Sequence, residues 1–373
     1  MKICYISNSS APSKNASSLA TAKLCEEISR LGHNVNLILP KTEEFKKDYF
    51  KFYDIKHKFK ITRLKYFKKF PIGLDYYLYS FFSILASNFK KQDLYITRNF
   101  FCSFLLSLLN KKQLFEIHDD ILIEGRVINF LVKNLKFLNR NSVLKIITTT
   151  KTLKKKYEKY GIKKDKIFVL HNASSLQPHF NKYRKKINKL NIGYFGSIFR
   201  SRGIEMILKI SKIDYKNNYY IYGGTKKQIL ELKKKVENKN IYFQPYIPYS
   251  NIFKKLKKID VCILPYTSKI TVAGNVGDIS NYTSPLKLFD YMKLGKLILC
   301  SNLKVLREVL NHNENSILVD NFTDEKNWLK KINKISNNFN KFDRIRESAF
   351  KYAKLHDLKW RTSKLLSFHH LSN

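Results

Sequence analysis

A chain of 373 residues is long enough for two domains, each with a core of its own. Its 44% hydrophobic and 14% aromatic content excludes a disordered chain. No run reaches the roughly 18 to 20 apolar residues that a membrane-spanning helix needs. The net charge of +42, from 71 Lys and Arg against 29 Asp and Glu, admits three sources. They are nucleic-acid binding, attraction to an anionic membrane face, and a coding bias that also enriches Asn, Ile, Phe and Tyr. Cys4, Cys25, Cys102, Cys262 and Cys300 show no CxxC pairing and no His partner at metal spacing, so they are expected as buried thiols of a reducing compartment. The apolar part of Met1–Ser10 is too short for a signal peptide, and a cytoplasmic protein is expected.

Residues 2–7 read as a strand, 8–18 as a polar loop, 19–31 as a helix stopped by Gly32, and 33–39 as a second strand. This βαβ unit implies a parallel sheet with helices on both faces, which binds ligands at the strand C-terminal ends. The first loop lacks G-x-G-x-x-G, so no nicotinamide or flavin cofactor is expected. Residues 64–91 place basic residues beside aromatics and then an apolar run from Tyr76 to Phe89. That pattern suits a membrane interface, or equally a core helix with exposed lysines. Strands follow at 93–97, 113–118, 143–149 and 167–170. A second series follows at 190–195, 219–222, 241–243, 261–264, 297–300 and 316–319. The polar, basic stretch 174–189 between the series reads as a linker. The expected fold is α/β, with two tandem Rossmann-like, doubly wound domains facing across a cleft.

The richest stretch is Ser284–Met292 with the run that follows it. Ser284 suits an N-cap and Pro285 the first helical position. Leu286, Leu288, Phe289 and Met292 form an apolar face, Gly295 ends the helix, and 297–300 is a buried strand. A helix N-terminus attracts phosphate, and Asp290 further along can hold sugar hydroxyls, an arrangement suited to a nucleotide-sugar. Read alone, the stretch is equally an ordinary βαβ unit with an exposed Asp. The second series opens on a strand, the small-residue turn at Gly196, a basic pair Arg200 and Arg202, and Gly203 before a helix. Such a turn lets backbone approach a phosphate that the arginines can neutralise.

In order along the chain, Gly32–Val35, Glu116–Asp119, Val169–Asn172, Gly196–Gly203, Asp260–Pro265, Ser284–Met292, Leu303–Glu308 and the segment 356–366 with Trp360 resemble the glycosyltransferases of family 4, with the GT-B fold. The resemblance covers nearly the whole chain. It implies an N-terminal acceptor-binding domain at 1–173, a linker at 174–189 and a nucleotide-sugar domain at 190–355. It also implies a helix at 356–373 that crosses back to the first domain. The implied catalytic residues are His118, facing the sugar, and Arg202 and Lys287 on the diphosphate leaving group. Donor binding is implied for Gly196, Arg200, Ser284, Pro285, Leu286 and Asp290, the last on the ribose hydroxyls. Asn172 and Ser17 fall on the acceptor or sugar side. The residues alone also allow His118 to be a strand-end histidine bonded to backbone, and Asn172 a turn residue. The family often carries a first acid eight positions before the residue matched by Asp290. Tyr282 stands there, and Asp278 is the nearest carboxylate. The family's Gly-rich first loop is rich in Ser and Ala here.

The implied activity is retaining, metal-independent sugar transfer from a nucleotide-diphosphate donor to a glycan or lipid-linked acceptor, in cell-surface polysaccharide or lipopolysaccharide biosynthesis. No cofactor or metal is expected. The partners expected are the donor, the acceptor and the anionic inner face of the cell membrane, with no nucleic acid. A GT-B nucleotide-sugar epimerase would need an acid/base carboxylate pair that the sequence does not offer. A nucleic-acid-binding protein would need a motif that is not found among these scattered lysines.

Overall fold

In a computed structural model, the structure describes residues 1–42, 47–65, 73–88, 91–120, 126–182, 189–271 and 278–370. The side chains of Arg126, Val127 and Arg200 fall outside that description. The chain divides into two units: Met1–His171 with Leu358–Asn373, and Asn172–Asp357.

The first unit is built on a seven-stranded sheet. Its strands are β1 (Lys2–Ile6), β2 (Asn34–Lys41), β3 (Lys60–Lys65), β4 (Leu94–Thr97), β5 (Gln113–Ile117), β6 (Val143–Thr148) and β7 (Ile167–Val169). They lie in the order β3-β2-β1-β4-β5-β6-β7, and every pair is parallel. The second unit carries β8 (Asn191–Phe195), β9 (Asn218–Tyr222), β10 (Ile241–Gln244), β11 (Val261–Leu264), β12 (Leu297–Ser301) and β13 (Ile317–Val319). These form a six-stranded parallel sheet ordered β10-β9-β8-β11-β12-β13. Central strands such as β4, β11 and β12 are buried at every residue, as helices on both faces require.

In both sheets the order reverses beside the first strand, between β1 and β4 and between β8 and β11. Connections leave these neighbours in opposite directions, so a crevice opens at their C-terminal ends. That crevice is where each sheet can receive a ligand.

Most strand ends lie within two residues of their expected places. β3 went unread because KITRLK is a half-buried edge strand with no apolar run. The first helix spans Ala16–Arg30 and starts three residues earlier than its apolar pattern suggested, behind Asn15. Ser284 is not the N-cap of its helix: Pro285 holds that position in extended backbone, and the helix runs Leu286–Lys293. A proline has no N–H to spend at a cap, and the Ser284 hydroxyl is engaged elsewhere. Gly295 ends this helix as expected, at φ +58°. A Cβ there would lie 2.4 Å from the Phe180 ring. All five cysteines are buried free thiols.

The stretch read as a linker is, over its described residues, part of the second unit. Ser174 bonds to Asp290, the His179 N–H donates to the Lys293 carbonyl at 3.1 Å, and Arg346 holds the Asn181 carbonyl at 2.9 Å. The C-terminal helix Leu358–His370 belongs to the first unit, where it packs on helix Ala16–Arg30 and on β6.

Candidate active site

At the crevice of the second sheet, β8 runs into Gly196 and β11 runs into Pro265 and Tyr266. Gly196 sits at φ +141° and Gly223, after β9, at φ +148°. The two backbones touch: a Cβ on Gly223 would stand 1.8 Å from the Gly196 carbonyl oxygen. Gly203 (φ +74°) is pressed onto the end of β11, where a Cβ would stand 1.6 Å from the Pro265 oxygen. Glycine is required at these positions because any side chain would push the loop off the strand ends.

Lys287, in the first turn of helix Leu286–Lys293, reaches into the space that Gly196 leaves open. A Cβ on Gly196 would meet its Nζ at 2.2 Å. The ammonium donates to the Tyr194 hydroxyl at 2.8 Å and lies 4.1 Å from the centre of that ring. The Tyr266 ring is near two cations, with the Arg202 guanidinium 5.4 Å from its centre and the Lys287 ammonium 5.7 Å away. Arg202 is also anchored to the Thr271 carbonyl at 3.1 Å. Burial, and then Arg202, push the Lys287 amine well below its ordinary range. Two neighbouring cations, with no carboxylate among the contacts described, suit a strongly anionic ligand, whose arrival would relieve both burial and repulsion. No side chain caps the N-terminus of the helix that carries Lys287, so its partial positive charge adds to theirs.

Ser284 and Asn172 are brought together. The Asn172 N–H donates to the Ser284 hydroxyl at 3.3 Å, and its side-chain amide donates to the Ser284 carbonyl at 2.5 Å. Asn172 thus fixes the loop that enters the Lys287 helix. Asp290 is buried, and one of its oxygens accepts from both Ser174 at 2.6 Å and Tyr249 at 3.1 Å. Burial pushes its carboxyl up to about 6, against the pull of the two hydroxyls. The exposed Asp read from the stretch alone is therefore replaced by a carboxylate seated inside the unit. Asp278 is exposed and turned to its own loop, accepting the N–H groups of Ser280 at 2.9 Å and Ile270 at 3.2 Å. Tyr282 is buried. Among the described residues, no group of three or more His, Cys, Asp or Glu is placed to hold a metal. The Arg200 side chain lies outside the described ones.

His118 and Ser17 belong to the first unit. His118 follows β5 and is half-buried. Burial, and then Arg98, keep its imidazole well below the usual range, so it is neutral at pH 7. Behind it, Glu116 on β5 accepts from the Arg361 guanidinium at 2.9 Å and from the Tyr5 hydroxyl at 2.9 Å. Burial opposes the ionised carboxylate, but Arg361, His118 and Arg98 outweigh it and hold Glu116 at about 2. Ser17 is the second residue of helix Ala16–Arg30. The loop before it is fastened by side chains: the Ser13 N–H donates to the Tyr53 hydroxyl at 2.7 Å, and Arg63 donates to the Ala11 carbonyl at 2.9 Å. These ties fasten a loop rich in Ser and Ala.

Sequence reading missed Tyr194, Tyr266, Ser174 and Tyr249. Tyrosine is abundant at 23 residues, so none of these stood out. The available signal was position, since Tyr194 and Tyr266 flank the ends of β8 and β11.

Residues 176–352 match the model of the family described as Glycosyl transferases group 1. No curated protein matches the chain by sequence. Among solved structures, sucrose-phosphate synthase (tll1590) from Thermosynechococcus elongatus aligns with a TM-score of 0.75 at 14% identity, over 99% of this chain and 98% of that one. The Anabaena protein Alr3699/HepE, solved in complex with UDP-glucose, aligns with a TM-score of 0.71 at 14% identity, over 98% of each chain. The lipopolysaccharide outer core galactosyltransferase WaaB aligns with a TM-score of 0.64 at 11% identity, over 100% of this chain and 99% of that one. The sheet orders and these alignments agree on the GT-B fold, and residues 176–352, within the second unit, match the glycosyl transferases group 1, the nucleotide-sugar-dependent enzymes of glycosyltransferase family 4.

Proposed function

We propose that the chain moves a sugar, with retention and without a metal, from a nucleoside-diphosphate donor to a glycan or lipid-linked acceptor of cell-surface polysaccharide or lipopolysaccharide assembly. The observation that carries this reading is the pair Arg202 and Lys287 around Tyr266, at the crevice of the second sheet. As the bond from the sugar's anomeric carbon to the diphosphate breaks, charge grows on the departing phosphate. The two cations and the helix N-terminus are positioned to stabilise it. Gly196 gives the phosphates close access to backbone, and Asn172 with Ser284, Pro285 and Leu286 sets the entry to the helix. Asp290 is assigned to the ribose hydroxyls through the carboxylate oxygen not shared by Ser174 and Tyr249. His118 is assigned to the transferred sugar, Ser17 to the acceptor side and Arg200 to the donor phosphates. A UDP-sugar is the first candidate donor, by likeness to the UDP-glucose complex of HepE. A lipid-linked acceptor would bring the enzyme to the anionic inner face of the membrane.

The test is a thermal-shift series with UDP, GDP, CDP and ADP, with and without EDTA. A nucleotide at about 100 times its Kd adds about 2.7 kcal/mol, a shift of a few degrees. We expect one of them to shift the parent with EDTA present and to leave Lys287→Ala unmoved. No shift with any nucleotide would sink the donor assignment. A shift that EDTA abolishes would sink the metal-independent one.

A further inference from the structure

Helix Leu74–Asn88 of the first unit turns its polar face inward. Its buried residues are Tyr79, Ser80, Ser83, Ile84 and Ser87. Leu74, Phe81, Phe82 and Leu85 are 42 to 49% exposed. The orientation is pinned. The Tyr79 hydroxyl donates to the Ser7 carbonyl at 2.6 Å, and Ser80 pairs with Asn99 at 2.9 to 3.1 Å. The buried serines are satisfied within the helix, Ser80 on the Tyr76 carbonyl and Ser83 on the Tyr79 carbonyl, both at 2.7 Å. The serine hydroxyls therefore do not turn to its outer face. No charged residue occurs between Asp75 and Asn88, where a water-facing stripe would carry several. The neighbouring helix Phe100–Leu108 packs against it through Tyr77 and Phe101, ring centres 4.9 Å apart. It too ends in exposed leucines, Leu108 and Leu109.

The geometry points to this face as the surface that seats the enzyme in the headgroup region of an anionic bilayer, with the helix lying in the membrane plane. Leucine and phenylalanine outward are what such an interface takes. In the sequence, Lys91 follows the helix, and Lys111 and Lys112 follow its neighbour, so cations close the apolar stretch at that end. The charge also selects the occupant. A second copy would bring another body of net charge +42 against the first, whereas an anionic leaflet is attracted. No helix among the described residues is long and apolar enough to cross a membrane. This placement deepens the lipid-linked acceptor reading and rests on it for its purpose, though not for its geometry.

The test is co-sedimentation of the full chain, without donor, with vesicles of phosphatidylglycerol and phosphatidylcholine against phosphatidylcholine alone. The parent is expected to partition onto the anionic vesicles. The double variant Phe81→Ser, Phe82→Ser should lower its partition coefficient at least about tenfold while nucleotide-induced thermal shifts are kept. Phe82→Trp retains the aromatic bulk, and it should gain a blue-shifted emission, relative to the parent, when anionic vesicles are added. Equal partitioning of parent and double variant, no partitioning of the parent, no spectral shift in Phe82→Trp, or a parent dimer that the double variant dissolves would each overturn the assignment. Nucleotide shifts without vesicle binding would overturn this surface alone, and vesicle binding without nucleotide shifts would overturn only the donor reading.

Discussion

At Gly203, a hydrogen in place of a methyl decides whether the loop after β8 can rest on the end of β11. The φ of +74° and the Pro265 oxygen, 1.6 Å from where a Cβ would stand, leave no rotamer escape, since the obstacle is backbone. Gly203→Ala is expected to cost several kcal/mol or to displace the loop that carries Arg202. Thermal unfolding and nucleotide titration check it, and an alanine variant with parental values for both would show that the contact yields. Asp290 offers a test with a sign. Its folded carboxyl stands near 6, above its ordinary 3.8, so the native state binds the extra proton between those values. The favourable contribution is complete below about pH 4 and is lost as pH rises through 6. Asp290→Asn keeps an oxygen for Ser174 and Tyr249 without the buried charge. Its melting temperature relative to the parent should therefore climb from pH 4 to pH 7, while its donor affinity falls. A difference that stays flat with pH would show that the carboxylate is better solvated than its burial indicates.

At the scale of elements, the clearest dependence is that of β5 on the C-terminal helix. Arg361 lies some 190 residues after the His171 carbonyl that it also binds at 3.0 Å, and its guanidinium neutralises Glu116 inside the first unit. Both side chains are almost wholly buried. Arg361→Ala would leave an uncompensated buried carboxylate, and a loss of about 3 to 5 kcal/mol is expected in denaturant unfolding. The pair's contribution is present above about pH 4.5, the ordinary value of the Glu116 carboxyl, and is lost as pH falls toward 2. Glu116→Gln, which removes the charge and keeps the shape, should flatten that acid limb. Much of this was hidden from the sequence. The strand Gln113–Ile117 was legible from its apolar run, but a glutamate in it read only as the residue before a histidine. Its partner stands 245 positions away, on a helix whose apolar pattern carries no mark of charge pairing. In the second unit the helix at 286–293 was legible, yet its cap fell one residue later. Local preference for serine at a cap lost to the Asn172 contact, which tertiary structure alone supplies.

Over the whole molecule, the charge of +42 raises the question of which anion it serves. Spread lysines give affinity without selectivity, and affinity of that kind falls steeply with salt. Any retention of duplex DNA is expected to disappear between about 50 and 200 mM salt and to show no preference among sequences. Binding of the nucleotide, held by the half-buried Arg202 and Lys287, should weaken far less over the same range. A filter-binding salt series alongside a nucleotide titration separates the two, and salt-resistant duplex binding would return the nucleic-acid reading to favour.

The sequence by itself determined the class of the protein. Buried parallel strands are continuous apolar runs, and turns that need glycine name their residue, so two doubly wound units and the loops at Gly196, Gly203 and Gly295 could be read in order. The tertiary structure decided which side chains meet. Lys287 with Tyr194, Arg202 with Tyr266, Asp290 with Ser174 and Tyr249, and Arg361 with Glu116 are pairs separated by tens to hundreds of positions. It also decided that helix Leu74–Asn88 buries its serines and exposes its phenylalanines. Periodicity gives a helix two faces, but the hydrogen bonds of Tyr79 and Ser80 to their neighbours choose which of them turns inward.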